Sequence, residues 1–144
     1  MRSMWQNEEL VHILSQDGVA VMPTDTLYGI VGCALSKDTV ERIYALRKRN
    51  PSKPCIILIG DISELEKFGI IQSKEQEEVI IHLFATPTSI ILPCNDARFE
   101  YLHRGTNTLA FRLPASTELR ELLLKTGPLV APSANIEGMP PAKN

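Results

Sequence analysis

The sequence PTDTLYG, residues 23–29, directly follows a short apolar run, residues 19–22. The apolar run predicts a buried strand, which the proline ends. Two hydroxyls, a carboxylate and a phenol follow within five residues. Because each of these groups needs a hydrogen-bonding partner, they suit the rim of a binding pocket better than a core. The alternative is a turn in which Thr24, Asp25 and Thr26 bond only to the local backbone.

Helical and strand patterns alternate on both sides of this stretch. Apolar stripes with cap or stop residues predict helices at 7–16, 36–47, 62–68, 73–84 and 116–126. Short apolar runs predict strands at 19–22, 55–59, 89–92, 109–113 and 129–131. Residues 95–107 mix charge with glycine and are predicted to form a long loop. The alternation predicts one α/β domain, a twisted mixed sheet flanked by helices.

Composition limits the classes of function. The chain has 144 residues, 15 basic and 17 acidic, with a net charge of −2, so general adhesion to nucleic acid or membrane is not expected and any anion site must be local. Cys33, Cys55 and Cys94 form no C-x-x-C pair, and the three histidines have no metal-ligand spacing. No apolar run approaches the ~20 residues that span a bilayer. We expect a cytoplasmic, unprocessed protein without a protein-held metal.

A basic cluster lies at the end of the second predicted helix. Five basic residues and no acidic one occur between positions 42 and 53. A solvated helix end is the simpler interpretation, since cations there also favour the helix dipole. The apolar stripe of Val40, Ile43 and Tyr44, however, continues by spacing to Arg47. A guanidinium on the buried face must be paired, and its fork suits a carboxylate or a phosphate.

Two further polar groups follow or interrupt apolar runs. Arg112 lies between Phe111 and Leu113, where alternation predicts that it faces away from both, toward solvent or a ligand. Ser133 and Asn135 follow the run 129–131 and could equally cap the local backbone. Strand ends are where open α/β sheets place their binding sites.

Together these segments resemble the YrdC-like family, the threonylcarbamoyl-AMP synthases of tRNA modification. Residues 23–29 are similar to its P-T-D-T-x-Y-G signature, and 47–49 with Lys53-Pro54 to its K-x-R…K-P segment. Residues 108–114 are similar to its T-x-A-x-R-x-P strand, and 132–138 to its P-S-A-N-x-x-G end. The resemblance implies one YrdC-like (RibB-like) domain over residues 1–144.

The resemblance also implies an activity. In the family, L-threonine, bicarbonate and ATP give threonylcarbamoyl-AMP and pyrophosphate, with Mg²⁺ carried by ATP, and a tRNA threonylcarbamoyl transferase complex consumes the product. Carried over residue by residue, the implied roles are catalytic cations at Arg47 and Arg49, a further cation at Arg112, a threonine and carbamate pocket at Thr24, Thr26 and Tyr28, and hydrogen bonds to ATP or the amino acid from Ser133 and Asn135.

The chain departs from the family pattern in three places. Arg47 stands where the family usually has lysine, and residues 85–87 replace a common P-G-P turn. The sequence ends at Asn144, whereas relatives continue with a helix and a strand whose serine-threonine pair helps close the nucleotide site. We therefore expect the family's last helix and strand to be lacking.

Two other functions fit the same residues. One is a non-catalytic module that binds a nucleotide or double-stranded RNA on the basic surface. The other is adenylation of a carbamoyl group taken from carbamoyl phosphate, as in the related domain of hydrogenase-maturation proteins.

Overall fold

The computed structural model of the chain describes residues 7–24, 28–48, 50, 52–70, 73–85 and 89–132. Its strands are β1 (Ala20–Pro23), β2 (Tyr28–Cys33), β3 (Ile56–Leu58), β4 (Ser89–Pro93), β5 (Thr108–Arg112) and β6 (Leu129–Val130). They form one sheet in the order β1-β2-β6-β3-β5-β4, in which β3 and β5 run parallel and the other neighbours run antiparallel. The predicted mixed sheet is confirmed.

The helices of the described residues include all five predicted ones and two short additional ones. They are α1 (Glu8–Ser15), α2 (Lys37–Arg47), α3 (Lys74–Leu83), α4 (Glu100–His103) and α5 (Thr117–Thr126), with 3-10 helices at Ile62–Phe68 and Ala97–Phe99. Ser73 and Gln76 form the predicted capping box, and the Ser36 hydroxyl accepts from the Thr39 amide at 3.3 Å. Gly69 ends the first 3-10 helix at φ 74°, a conformation that favours glycine.

Three predictions about elements were wrong. Strand β2 was missed, because Gly29 and Gly32 interrupt its apolar pattern and weaken the strand signal. Residues 95–107 are not one long loop, since the buried Phe99 and Leu102 fold them into two short helical turns. The apolar residues that predicted a helix at 73–84 were Val79, Ile80, Leu83 and Phe84, but only Ile80 and Phe84 are buried, whereas Val79 and Leu83 are exposed.

Helices cover the sheet on both faces. One face packs against α2, α4 and the first 3-10 helix through Ile43, Phe68 and Phe111. The other packs against α1 and α5, which bring Leu14 and Leu122 onto β1, β2 and β6. The chain thus buries two apolar layers, one on each side of the sheet.

Helix α2 lies unusually close to β2. A Cβ built on Gly32 would come within 2.5 Å of Thr39 Cγ2 and 2.9 Å of Ile43 Cδ1. Only a glycine permits this approach, so Gly32 sets the distance between the helix and the strand.

Within the described residues, no helix is long and apolar enough to cross a membrane. Cys33, Cys55 and Cys94 are free thiols.

Candidate functional site

One end of the sheet gathers several predicted site residues. Strand β1 ends there at Pro23, which is paired with Tyr28 at the start of β2. The segment after β6 continues to the same end, where the Ala131 amide donates to the Ile56 carbonyl at 3.0 Å. We call this region, defined by Thr24, Tyr28, Ile56 and Pro132, the Thr24 end of the sheet.

Gly29 brings the first and last motifs together at the Thr24 end. A Cβ built on Gly29 would lie 3.2 Å from Thr24 Cγ2 and 3.3 Å from the Pro132 carbonyl oxygen. That carbonyl accepts from the Ile30 amide at 3.1 Å. Residues more than 100 positions apart in sequence are therefore in contact, and the missing side chain of Gly29 leaves room for both.

Helix α2 carries Arg47 to the same end. Thr39 and Ile43 pack over Gly32, and Arg47 follows one helical turn later. Because α2 returns along β2 in the opposite direction, that turn lies toward Ile30 and Tyr28 rather than toward Cys33. Arg47 is only 5% exposed, so the predicted inward orientation is confirmed.

Strand register decides which face each side chain occupies. Opposed residues of paired strands share a face, and Tyr28, Ile30 and Gly32 alternate onto the face that α2 covers. Gly29 and its neighbour Thr24 lie toward the other face, beside α1 and α5. Tyr28 and Arg47 thus share one side of the Thr24 end, and Thr24 borders the other.

Arg112 lies elsewhere on the sheet. It ends β5, opposite Leu58 and Ser89, two residues beyond Ala110, the partner of Ile56 at the Thr24 end, or about 7 Å farther along the strand at ~3.3 Å per residue. The register places it on the face opposite Tyr28. Thr108, Ala110 and Arg112 form a strip along this face, beside Ile56 and Ile91, which are 38% and 68% exposed. An open strip therefore connects Arg112 with the Thr24 end.

Four predicted site residues lie outside the described residues, namely Thr26, Arg49, Ser133 and Asn135. Most of the substituted turn at residues 85–87 lies outside them as well. Arg49 lies between the described Lys48 and Asn50, and Ser133 directly follows the described Pro132. The roles of all eight residues stay predictions.

The sequence interpretation missed one polar contact beside the site. The Tyr44 hydroxyl donates to the Lys53 carbonyl at 2.7 Å, which ties α2 to the segment leading into β3. The sequence placed Tyr44 on an apolar stripe and gave its hydroxyl no partner. The signal was present, because a buried tyrosine hydroxyl usually requires one.

A cavity of about 410 Å³ lies away from the Thr24 end, between the start of α2 and the two short helices before β5. It contains none of the eight predicted site residues; its lining residues are Lys37, Glu41, Ala97, Arg98, Glu100, Tyr101 and Arg104. Burial raises the pKa of Tyr101 to about 12, and its hydroxyl donates to the Ala34 carbonyl at 2.8 Å. The mostly exposed charges of both signs around the cavity do not single out one ligand, so we centre the candidate site on the Thr24 end.

No cluster of three histidine, cysteine, aspartate or glutamate side chains within the described ranges could hold a metal ion. The chemistry available at the Thr24 end is instead that of hydroxyls, backbone amides and a buried guanidinium. These groups recognise carboxylates and phosphates.

The Sua5/YciO/YrdC family model, described as telomere recombination, matches residues 12–144. A threonylcarbamoyl-AMP synthase of Bacillus subtilis is 32% identical over 130 residues, covering 89% of this chain and 38% of that protein. One from Hydrogenovibrio crunogenus is 28% identical over 134 residues, covering 90% of this chain and 72% of that protein. The chain spans about two fifths of the length of the relatives from B. subtilis and Pyrococcus abyssi.

Solved structures share the fold. Sua5 of P. abyssi complexed with L-threonine superposes with a TM-score of 0.84 at 27% identity, covering 98% of this chain and 42% of that chain. HypF of T. kodakarensis superposes with a TM-score of 0.75 at 23% identity, covering 93% of this chain and 18% of that chain. The likeness to HypF shows the fold alone.

Proposed function

Because the chain belongs to the Sua5/YciO/YrdC family, we propose that it is an L-threonylcarbamoyladenylate synthase. It would form threonylcarbamoyl-AMP and pyrophosphate from L-threonine, bicarbonate and ATP. The observation that carries the proposal is the meeting of the first and last motifs at the Thr24 end, where α2 also delivers a buried guanidinium. The names of the relatives and the threonine complex of P. abyssi Sua5 support it.

The residue types fit the proposed reaction. L-Threonine and bicarbonate first condense to N-carboxythreonine with loss of water. Its carboxylate attacks the α-phosphate of ATP, and pyrophosphate leaves as the P–O bond breaks. Every reactant is anionic or carries a carboxylate, and negative charge gathers on phosphoryl oxygens in the transition state. Fixed cations and hydrogen-bond donors stabilise that charge without a covalent nucleophile.

We assign the roles as follows. Arg47 and Arg49 hold phosphate and carboxylate oxygens at the end of α2. Thr24, Thr26 and Tyr28 line the threonine and carbamate pocket. ATP brings its own Mg²⁺, and Ser133 and Asn135 hold ATP or the amino acid by hydrogen bonds.

Arg112 binds a part of the substrates that lies farther along the sheet. Its place at the far end of the open strip requires a ligand that extends from the Thr24 end along β5. A nucleoside triphosphate has the length and the charge for that path.

The product would serve tRNA modification. Threonylcarbamoyl-AMP is a mixed anhydride, so an acceptor amine must consume it before water does. We propose that a tRNA threonylcarbamoyl transferase complex in the cytoplasm is that consumer.

Pyrophosphate release tests the function. The purified chain, given ATP and Mg²⁺, should release pyrophosphate only when both L-threonine and bicarbonate are present, with threonylcarbamoyl-AMP identified by mass spectrometry. Release that needs carbamoyl phosphate instead would replace the proposal with the carbamoyl-phosphate reaction.

A second arm tests the binding alternative. Retention of double-stranded RNA that weakens steeply with added salt, without any turnover, would indicate a binding module instead.

The Arg49→Ala variant should abolish pyrophosphate release, and unchanged pyrophosphate release would remove the role assigned to Arg49.

A further inference from the structure

We propose that Tyr44 is a positioning residue that holds both ends of the basic loop, residues 48–53, and that Arg104 orients Tyr44. The inference rests on the proposed function in one respect, namely that this loop serves the phosphate-binding site. It adds two residues that no motif contains. Neither of them needs to contact substrate.

Tyr44 is bonded to both ends of the basic loop. Its backbone carbonyl accepts from the amide of Lys48, which ends α2 in the left-handed conformation at φ 51°. Its hydroxyl donates to the carbonyl of Lys53 at 2.7 Å, and the Lys53 amide donates to the Asn50 carbonyl at 3.1 Å. One residue of the helix is therefore bonded to both loop ends, through its backbone carbonyl at Lys48 and through its side chain at Lys53.

The guanidinium of Arg104 packs on the face of the Tyr44 ring. The guanidinium carbon lies 3.6 Å from the ring centroid, and Nη2 lies 3.3 Å from Glu41 Oε1, one helical turn before Tyr44. A cation stacked on the ring face restricts the tilt of the ring and hence the direction of its hydroxyl. The contact joins α4 to α2 at the level of the basic loop.

Burial of the Arg104 side chain lowers the stability of the folded protein unless other contacts compensate for it. The side chain is 10% exposed, the backbone adopts φ 55°, Nε finds no hydrogen-bond acceptor among the described residues, and Nη2 has only the ion pair with Glu41. Buried donors without acceptors lower stability. The contact with the Tyr44 ring and the ion pair with Glu41 are the interactions that offset this cost, so the position of Arg104 is tied to that of Tyr44.

Two matched variants isolate the hydroxyl. Tyr44→Phe removes the bond to Lys53 and keeps the ring that Arg104 covers. Tyr101→Phe is the control, because its hydroxyl also donates to a backbone carbonyl, that of Ala34 at 2.8 Å, outside the basic loop. Both variants lose one hydrogen bond of the same kind, so a shared loss of stability cancels in the comparison.

Kinetics give the first readout. Because the loop carries groups that stabilise the transition state, Tyr44→Phe should lower the kcat of pyrophosphate release about tenfold while changing the KM for L-threonine less than twofold. Tyr101→Phe should retain the wild-type kcat. Equal kcat in Tyr44→Phe and wild type would overturn the proposal.

Trypsin gives a readout that does not depend on activity. The bonds after Lys48 and Arg49 lie in the basic loop, and cleavage of a folded protein follows the population of opened loop. Tyr44→Phe should be cleaved there about tenfold faster than wild type, and Tyr101→Phe at the wild-type rate. If the wild type shows no pyrophosphate release, the proposed function fails while the cleavage rates still decide the loop-holding role.

The role of Arg104 is tested in the wild type and in the Tyr44→Phe protein. Arg104→Met should speed cleavage of the basic loop in the wild type and add nothing in the Tyr44→Phe protein, because both act through one hydroxyl. Independent, additive effects of the two substitutions would overturn the role of Arg104.

Discussion

Arg47 combines burial with a full positive charge, and this combination requires an anionic or polar environment. Its place on the apolar stripe of α2 and its 5% exposure follow from helical spacing. A lysine at the same position would present a single ammonium, whereas the guanidinium offers a planar fork for carboxylate or phosphate oxygens. The substitution relative to the family motif therefore keeps the charge and changes the hydrogen-bonding geometry that the side chain offers.

The role of Arg47 is tested by comparing its replacement with that of Arg42, an exposed arginine on the same helix. Arg47→Met should lower the kcat/KM for pyrophosphate release at least about 100-fold, as expected for a group that stabilises phosphoryl charge. Arg42→Met removes the same charge from an exposed position on the same helix and should retain wild-type turnover. Circular dichroism of both variants checks that the helix is retained. Equal activities in the two variants would contradict the assignment.

The raised pKa of Tyr101 predicts that the stability of the protein depends on pH. Its pKa is raised to about 12 in the folded protein, first by burial and then by Cys33, against about 10 in the unfolded chain. From about pH 10 to 12 the unfolded state loses this proton before the folded state does, so the tyrosine lowers the free energy of unfolding as the pH rises. Below about pH 10 its contribution is constant.

The Tyr101→Phe variant isolates this effect. At pH 8 it should be less stable than wild type, because the bond to the Ala34 carbonyl is lost. That difference should shrink as the pH rises above about 10. Urea unfolding of both proteins at several pH values measures it, and a constant difference up to pH 11 would refute the raised pKa.

At the scale of elements, the contact between α2 and β2 sets the position of the basic helix end. Gly32 leaves no side chain between them, and Thr39 and Ile43 fill that space from the helix. The Thr39 hydroxyl also donates to the Asp17 carbonyl at 3.0 Å, which ties the start of α2 to the turn before β1. The distance from helix to strand is therefore fixed before α2 reaches Arg47.

Gly32→Ala should lower the free energy of unfolding by about 1–3 kcal/mol, the usual cost of overpacking. Thr39→Ser removes Cγ2, the atom nearest to the added methyl group, and keeps the hydroxyl that bonds to Asp17. The double variant should therefore be more stable than the sum of the two single effects predicts. Urea unfolding of all four proteins gives the coupling, and strict additivity would show that the close approach is relieved elsewhere.

At the scale of the whole molecule, the order of the strands creates the candidate site. The last strand, β6, inserts between β2 and β3, and so brings Pro132 beside Thr24 and Tyr28. The crossover helix α2 returns its basic end to the same side. Parts of the chain that are far apart in sequence thus meet at the Thr24 end.

Binding of L-threonine should map onto this end. In amide NMR spectra, added L-threonine should shift the signals of the non-proline residues among 22–30 and of Ala131, which surround the predicted pocket. Residues 97–104, which border the separate cavity, should keep their shifts. The opposite pattern would move the substrate site to that cavity.

The local signals in the sequence determined much of this protein. Caps at Ser36, Ser73 and Ser116 and the stops at Gly69 and Gly127 were readable, because helix ends depend on hydrogen bonds made within a few residues. The inward turn of Arg47 was equally readable, since 3.6-residue spacing needs no knowledge of the rest of the chain. The motifs that carry the family resemblance are short segments of the same kind.

Only the tertiary structure decided how those segments meet. The insertion of β6, the position of Arg112 away from the Thr24 end and the bond from Tyr44 to Lys53 all depend on strand order and register. Strand β2 was hidden for the same reason, because its glycines are favourable only where α2 and Pro132 approach them. Contacts between distant residues are set by packing and hydrogen bonding across the sheet, and no short stretch of sequence contains that information.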